Sequence, residues 1–330
     1  MKTVGFVISD LVSEKRRGLL PEDIKDIKHH SKVYVEAGYG EVLGINDIEY
    51  EEMGVQICSH EEALKQDIIC DLKVGNASYL EQLTPQQAVF GWIHAEGNEE
   101  LVDRLCQNKL TVIAWEDLYE ANRHVFWENN HIAGQAAVLH AFTLFGKFPK
   151  RLKVALIGRG NVSMGAYEIL ISLGAEVSIY NRERVKYLSE EIDQFDVVVN
   201  GVLWNKSRED HLIYRKDLKR MKNNAMIIDV SADTAGAIES SRPTGLEDPI
   251  YKLDGVLHYV VDHTPSIFFH SASESISKEV VRYIDYLIED NIKNQTTLSN
   301  AVIIKDGHVI NEKVRKSMNR KGLINEKIKF

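Results

Sequence analysis

Short runs of apolar, β-branched residues alternate with stretches of helical spacing from the first residues onward. Strand patterns fall at TVGFVIS (3–9), DIICDLKV (67–74), AVFGWIHA (88–95) and LTVIAWEDL (110–118), and a helical pattern is read across EDIKDIKHHSKVYVEAG (22–38). Such alternation predicts an α/β domain with a parallel sheet. The stretch HIAGQAAVLHAFTLFG (131–146), with small residues among its apolar positions, reads as a buried helix crossing from one domain to the next. A second series starts at Leu152: KVALIG, a helix to Leu173, then EVSIY, DVVVNGV, MIIDVSAD and VLHYVVD. Strand and helix units opened by a glycine-rich turn form a Rossmann pattern. The stretch SISKEVVRYIDYLIEDNI (275–292) is amphipathic and is expected to pack back onto the first domain. Residues 311–330, charged and poor in aromatics, are expected to form a mobile tail that touches a neighbouring subunit.

Composition narrows the class. At 330 residues the chain exceeds the size at which one core keeps growing, so two domains are expected. A net charge of -9 and the lack of a Lys/Arg stripe argue against nucleic acid as a partner. The longest apolar runs fall far short of the roughly 20 residues a membrane helix needs. The N-terminal MKTVGFVISD meets an acid too early for a signal-peptide core. Cys58, Cys70 and Cys106 show no CxxC spacing and read as reduced cytoplasmic thiols. Neither a metal-ligand spacing nor a GxSxG elbow occurs, so no metal is expected.

The stretch KVALIGRGNVSMGA, residues 153–166, carries the first chemical signal. Gly158-Arg159-Gly160-Asn161-Val162-Ser163 follows a strand, opens a helix and precedes a second strand, the context a dinucleotide loop requires. Serine stands where the third glycine would sit. An NAD enzyme usually ends its second strand with Asp or Glu, to bind the ribose hydroxyls. Here that strand ends in Tyr180-Asn181-Arg182, followed by Glu183-Arg184. With no carboxylate at Asn181 and paired donors on Arg182, the 2′-phosphate of NADP is the expected ligand.

Four further stretches, SEKRRGLLPED, CDLKVGN, FGWIHAEGNEEL and IIDVSADTAGAIESSRPT, together with LDGVLHYVVDHTP, occur in the order and rough spacing of one family. Over nearly the whole chain to about residue 290, the sequence resembles the alanine dehydrogenase and pyridine nucleotide transhydrogenase superfamily. GWIHA, IAWED and DGVLHYVVDHTPS are most similar to its carboxyethylornithine synthases. The resemblance implies two Rossmann-like α/β domains with parallel sheets and a cleft between them. It places residues 1–130 with about 275–330 in a catalytic domain and 131–274 in an inserted NADP-binding domain. It also implies a homo-oligomer, and a reaction in which pyruvate condenses with the side-chain amine of ornithine, or of lysine, before NADPH reduces the imine.

On that resemblance Arg16 is the arginine that receives the substrate carboxylate, with adjacent Arg17 taking the role if the loop is shifted by one. Lys73, at a strand end, would polarise the pyruvate carbonyl or exchange protons, and burial there would lower its pKa. His94, also at a strand terminus, would protonate the departing hydroxyl of the carbinolamine. Asp233, at the mouth of the Rossmann sheet, would face nicotinamide and substrate, whereas Asp229 lies within the strand and is structural. Asp262 and His263 replace what alanine dehydrogenases carry in that loop, and Asp262 is expected to help recognise a diamino acid. Alanine dehydrogenase and saccharopine-type dehydrogenase are the neighbouring alternatives, and a non-catalytic dinucleotide-binding regulator is the alternative of another class.

Overall fold

The computed structural model describes residues 1–205 and 208–319. The chain forms two compact units, Met1–Phe126 with Phe269–Phe330, and Trp127–Phe268.

The first unit is built on an eight-stranded sheet. Strands β1 (Val4–Phe6), β2 (Val33–Glu36), β3 (Gln56–Cys58), β4 (Ile68–Asp71), β5 (Ala88–Gly91) and β6 (Thr111–Ala114) lie parallel in the order β3-β2-β1-β4-β5-β6. Their apolar runs are continuous because both faces are covered. Ile68, Cys70, Phe90 and Ile113 enter the core on one face, and Ile69, Val89 and Val112 enter that on the other. The connecting helices α1 (Pro21–Ile24), α2 (Asp47–Glu51), α3 (His60–Ala63) and α4 (Glu99–Gln107) are short, and β7 (Tyr119–Glu120) pairs with β8 (Arg123–His124) as a separate ribbon. The helical reading of 22–38 is corrected here. The helix stops at Ile24, and VYVE forms β2, because Val33 and Val35 are buried on alternate positions of a strand.

The second unit carries a six-stranded sheet of β9 (Lys153–Ile157), β10 (Glu176–Tyr180), β11 (Val197–Asn200), β12 (Met226–Asp229), β13 (Ile250–Leu253) and β14 (Val256–Tyr259). The order is β10-β9-β11-β12-β14-β13, parallel except for β13. Helices α5 (Trp127–Phe145), α6 (Asn161–Ser172) and α7 (Leu188–Glu191) belong to this unit. The long helix therefore lies in the second unit over its whole length and does not pass from one domain to the other. Its small residues serve packing against α6. A Cβ on Gly134 would stand 1.9 Å from the Val162 carbonyl oxygen, and one on Gly165 would stand 2.0 Å from that of His131.

The chain then returns to the first unit. Helix α8 (Phe269–Ile288) buries Ile276, Val280, Ile284 and Leu287 against β1 and its neighbours. After α9 (Thr296–Ala301), strands β15 (Val302–Lys305) and β16 (His308–Val309) add antiparallel to the free side of β6. The tail expectation is corrected in part. Glu312–Asn319 forms helix α10, capped by Asn311, whose Oδ1 accepts the Lys313 and Val314 N–H groups, and anchored by buried Val314. The rest of that expectation, residues 320–330, lies outside the described residues. No helix among the described residues is long and apolar enough to cross a membrane.

Candidate active site

In the first unit four neighbouring parallel strands, β1, β4, β5 and β6, deliver chemistry-bearing residues beyond their carboxyl ends. This is where open α/β sheets bind ligands. After β1 come Glu14, Arg16 and Arg17. Arg16 is buried, and it donates from Nε to Glu14 Oε1 at 2.8 Å and from Nη2 to Oε2 at 2.5 Å. Its guanidinium also lies 5.0 Å from the centre of the Trp92 ring. Burial pushes the Glu14 carboxyl up, but the charge and hydrogen bonds of Arg16, with the charge of Lys73, outweigh it and hold the carboxyl below its ordinary range.

The two arginines left open by sequence are used differently. Arg17 donates from Nε to the Tyr39 carbonyl and from Nη1 to the Arg16 carbonyl at 2.8 Å, with its backbone N–H on Ser273 Oγ at 2.8 Å. Its cation is spent on stitching the loop to β2 and α8. Arg16 is thus the one paired with an ionic side chain of the strand-end cluster, Glu14.

Lys73 is buried two residues beyond β4, and its backbone N–H donates to Asp71 Oδ1 at 2.9 Å. Tyr79 donates its hydroxyl to the other oxygen of Asp71 at 2.7 Å. Burial dominates at Asp71 and raises its pKa to about 6 against these bonds. His94 stands exposed three residues beyond β5, with φ 53. A left-handed backbone at a non-glycine residue costs on the order of 1–3 kcal/mol and persists only where its surroundings enforce it. Glu116, just beyond β6, supplies the enforcement. Its carboxylate accepts the Ile93 N–H at 3.1 Å and the His94 N–H at 2.6 Å, and burial pushes its pKa up to about 7 despite those bonds.

Sequence reasoning missed Glu14 and Glu116. Glu116 has a signal in the sequence: like Lys73 and His94, it is an ionisable residue just past the carboxyl end of an apolar strand. Glu14, among Lys and Arg in SEKRR, reads as a solvated charge.

The second unit gathers the nucleotide signals. Gly158 has φ 99 and donates its N–H to the Tyr180 carbonyl at 3.0 Å, so the fold itself demands a glycine there. Gly160 precedes α6 with φ -73, and a Cβ on it would meet no protein atom within 4 Å. The fold gives no reason for that glycine, whereas close approach of a pyrophosphate to the backbone does. Asn161 and Val162 open the helix, leaving its first N–H groups to an anion. Ser163 is buried, with its hydroxyl donated to the Ile157 carbonyl at 3.0 Å; it fills the space between strand and helix where the third glycine would sit. Asn181 Oδ1 accepts the N–H groups of Glu183 and Arg184 at 3.2 and 2.9 Å, and Arg159 and Arg182 are exposed.

Asp229 ends β12 and is buried, accepting from Asn200 Nδ2 at 2.8 Å, Ser231 Oγ at 2.9 Å and Ser241 Oγ at 2.5 Å. It ties together the loops at the carboxyl end of this sheet, one of which carries Asp233. Asp262 and His263 follow the neighbouring strand β14. His263 is buried, and its Nδ1 bonds Asp262 Oδ1. The candidates thus fall into two sets: Arg16, Lys73 and His94 on the first unit, and the glycine loop, Asn181, Arg182, Asp233 and Asp262 on the second. Among the described residues no three His, Cys, Asp or Glu side chains are grouped to hold a metal ion.

Comparison with known proteins gives a consistent pattern. Residues 10–127 match the family described as "Alanine dehydrogenase/PNT, N-terminal domain" and residues 182–312 match "Alanine dehydrogenase/PNT, C-terminal domain". An N(5)-(carboxyethyl)ornithine synthase of Clostridium botulinum is 32% identical over 87% of this chain and 98% of its own length. One from Lactococcus lactis is 31% identical, covering 83% of this chain and 93% of its own. Alanine dehydrogenase 1 of Staphylococcus aureus is 26% identical over 91% and 92%. Among solved structures, an L-alanine dehydrogenase superposes with a TM-score of 0.82 at 22% identity, covering 97% of this chain and 99% of that one. A transhydrogenase from Sinorhizobium meliloti follows at 0.78 and 20%, over 93% and 99%. At such identities the two structures speak for the fold.

Proposed function

The chain belongs to the alanine dehydrogenase/PNT family, alongside N(5)-(carboxyethyl)ornithine synthases, and from that premise we propose that it joins pyruvate to the side-chain amine of ornithine in an NADPH-dependent reductive condensation. The coarser reading, an oxidoreductase that acts on the CH–NH bond of an amino acid with a nicotinamide dinucleotide, follows from the family. The finer reading rests on the strand-end cluster of the first unit.

The observation that carries it is the burial of Arg16 and Lys73 together with carboxylates beyond the carboxyl ends of β1 and β4. Arg16 and Lys73 bring two positive charges, with the carboxyls of Glu14 and Asp71 beside them, all buried. The guanidinium and the ammonium are donors of the kind a 2-oxo acid needs at its carboxylate and its carbonyl. Arg16, oriented by the pairing of its Nε and Nη2 with Glu14, is assigned to the substrate carboxylate, with Lys73 near the oxo group. The amine attacks the carbonyl carbon, and His94 as imidazolium gives its proton to the carbinolamine hydroxyl, which leaves as water. NADPH, when bound, supplies the hydride that reduces the resulting imine to a secondary amine. Asp233 is assigned to the nicotinamide end of the second unit and Asp262 to the diamino acid.

Preference for NADP(H) over NAD(H) rests on Asn181. An aspartate would satisfy the same two backbone N–H groups equally well, so the turn does not select against a carboxylate there. A 2′-phosphate does. The test is NADPH absorbance loss with pyruvate and one amine at a time, ornithine, lysine or ammonia, with parallel runs in NADH. Fast oxidation with ornithine and little with ammonia is the expected result. Turnover with ammonia alone would make the protein an alanine dehydrogenase.

A further inference from the structure

Three arginines of the second unit stand apart from the rest: Arg151, which precedes β9, and Arg159 and Arg182, which follow β9 and β10. Arg208 is paired with Asp210, Arg215 with Asp254, Arg220 with the carbonyls of Ser189 and Glu190, and Arg184 and Arg242 lie over the rings of Tyr180 and Tyr251. Arg159 and Arg182 are exposed and make no ion pair, side-chain hydrogen bond or ring contact among the described residues; nearby Glu183 bonds neither of them.

Their placement is set by the sheet. Strands β9 and β10 are parallel neighbours with Ile157 opposite Tyr180, and the Gly158 N–H still donates to the Tyr180 carbonyl one residue further on. The chain therefore leaves both strands in step, and Arg159 and Arg182 each come two residues after that last pair. Adjacent strands are about 4.8 Å apart. Both side chains are exposed and bonded to no carboxylate among the described residues, so no ion pair or hydrogen bond of the fold accounts for the two arginines. The Asn181 side chain is occupied by the turn and Arg184 by its ring, which leaves Arg159 and Arg182, among the described residues at the ends of β9 and β10, open to a ligand.

We infer that Arg159 and Arg182 are the two arms of one phosphate clamp, closing on the 2′-phosphate of the adenosine ribose from the glycine loop and from the end of the second strand. This deepens the NADP(H) reading and rests on it. Each planar fork offers paired donors to a phosphate dianion. The pyrophosphate, in contrast, is met by backbone N–H groups at the start of α6, which do not depend on the Arg159 side chain.

Calorimetric titration of the full-length protein with NADP+ and with NAD+ tests this without turnover. Wild type is expected to bind NADP+ more tightly. Arg159→Ala should weaken NADP+ roughly ten- to a hundredfold, as loss of charge-assisted hydrogen bonds does. It should leave NAD+ within about twofold, and that unchanged affinity also shows that the variant is folded. Arg159→Lys should recover part of the loss, more at low salt than at high. An Arg159→Ala protein with the full wild-type preference would overturn the second arm while leaving the NADP(H) reading intact. Equal weakening of both nucleotides would assign Arg159 to general loop structure and also overturn it. Wild type with no preference for NADP+ would remove the parent reading and the clamp together.

Discussion

At the scale of single residues, the site is organised by acids that sequence reading passes over. Glu116 spends its carboxylate on the backbone N–H groups of Ile93 and His94, so it fixes where the imidazole starts instead of touching a substrate. Its placement also has a thermodynamic signature. Its folded pKa of about 7 lies above the unfolded value near 4.5, so the folded state holds a proton that the unfolded state releases. This contribution to stability is complete below the unfolded value and is lost as pH rises through 7. Asp71, raised to about 6, acts in the same direction at slightly lower pH. Glu116→Gln should therefore flatten the fall in stability between pH 5 and 8 by up to about 3 kcal/mol. Urea midpoints of the two proteins across that range would show it, and parallel curves would refute it. The strand-end positions of Lys73 and His94 were legible because each follows an apolar strand, while the roles expected of them came from the family resemblance. Glu14 was not, because burial of an acid beside arginines depends on the loop folding back, which no local pattern encodes.

At the scale of elements, the strands buried on both faces were the easiest to read, and the short or half-exposed ones were lost. Four-residue β2 was absorbed into the preceding helical spacing. The β15–β16 hairpin went unread although its turn, Asp306-Gly307, has positive φ at both residues and is among the strongest local hairpin signals. The helix pair α5 and α6 shows what the small residues of a helix can mean. Gly134 and Gly165 face the backbone of the partner helix, and a methyl group at either would strike a carbonyl oxygen. Gly165→Ala should destabilise the second unit by roughly 2–4 kcal/mol, overriding the helix propensity that alanine gains. Thermal unfolding followed by circular dichroism would measure it; an unchanged or higher melting temperature would mean that the helices separate at little cost. Because α6 also presents the nucleotide loop, weaker dinucleotide binding should accompany the loss.

At the scale of the whole molecule, the two units differ in how the chain builds them. The second is one continuous segment, whereas the first is assembled from both ends of the sequence. Ile276, Val280, Ile284, Leu287 and Ile288 of α8 all lie in the core beneath β1. Their burial contributes on the order of 10 kcal/mol, comparable with the net stability of a domain. Residues 127–268 alone should fold and bind dinucleotide, and residues 1–126 alone should not fold. Co-expression of 1–126 with 269–330 should restore the first unit. A cooperative melting transition from 1–126 by itself would contradict this. The same arrangement has a consequence during synthesis. Once Ala114 emerges from the ribosome, β6 is an unpaired edge, and its partner β15 begins only at Val302. At roughly 5–20 residues per second, the nascent sheet waits on the order of 10 to 40 s with a raw edge and an uncovered apolar face. The newborn chain is thus most vulnerable to aggregation until residues 269–305 have been made, and its yield in the cell should depend on chaperone capacity far more than the folded protein's stability would suggest.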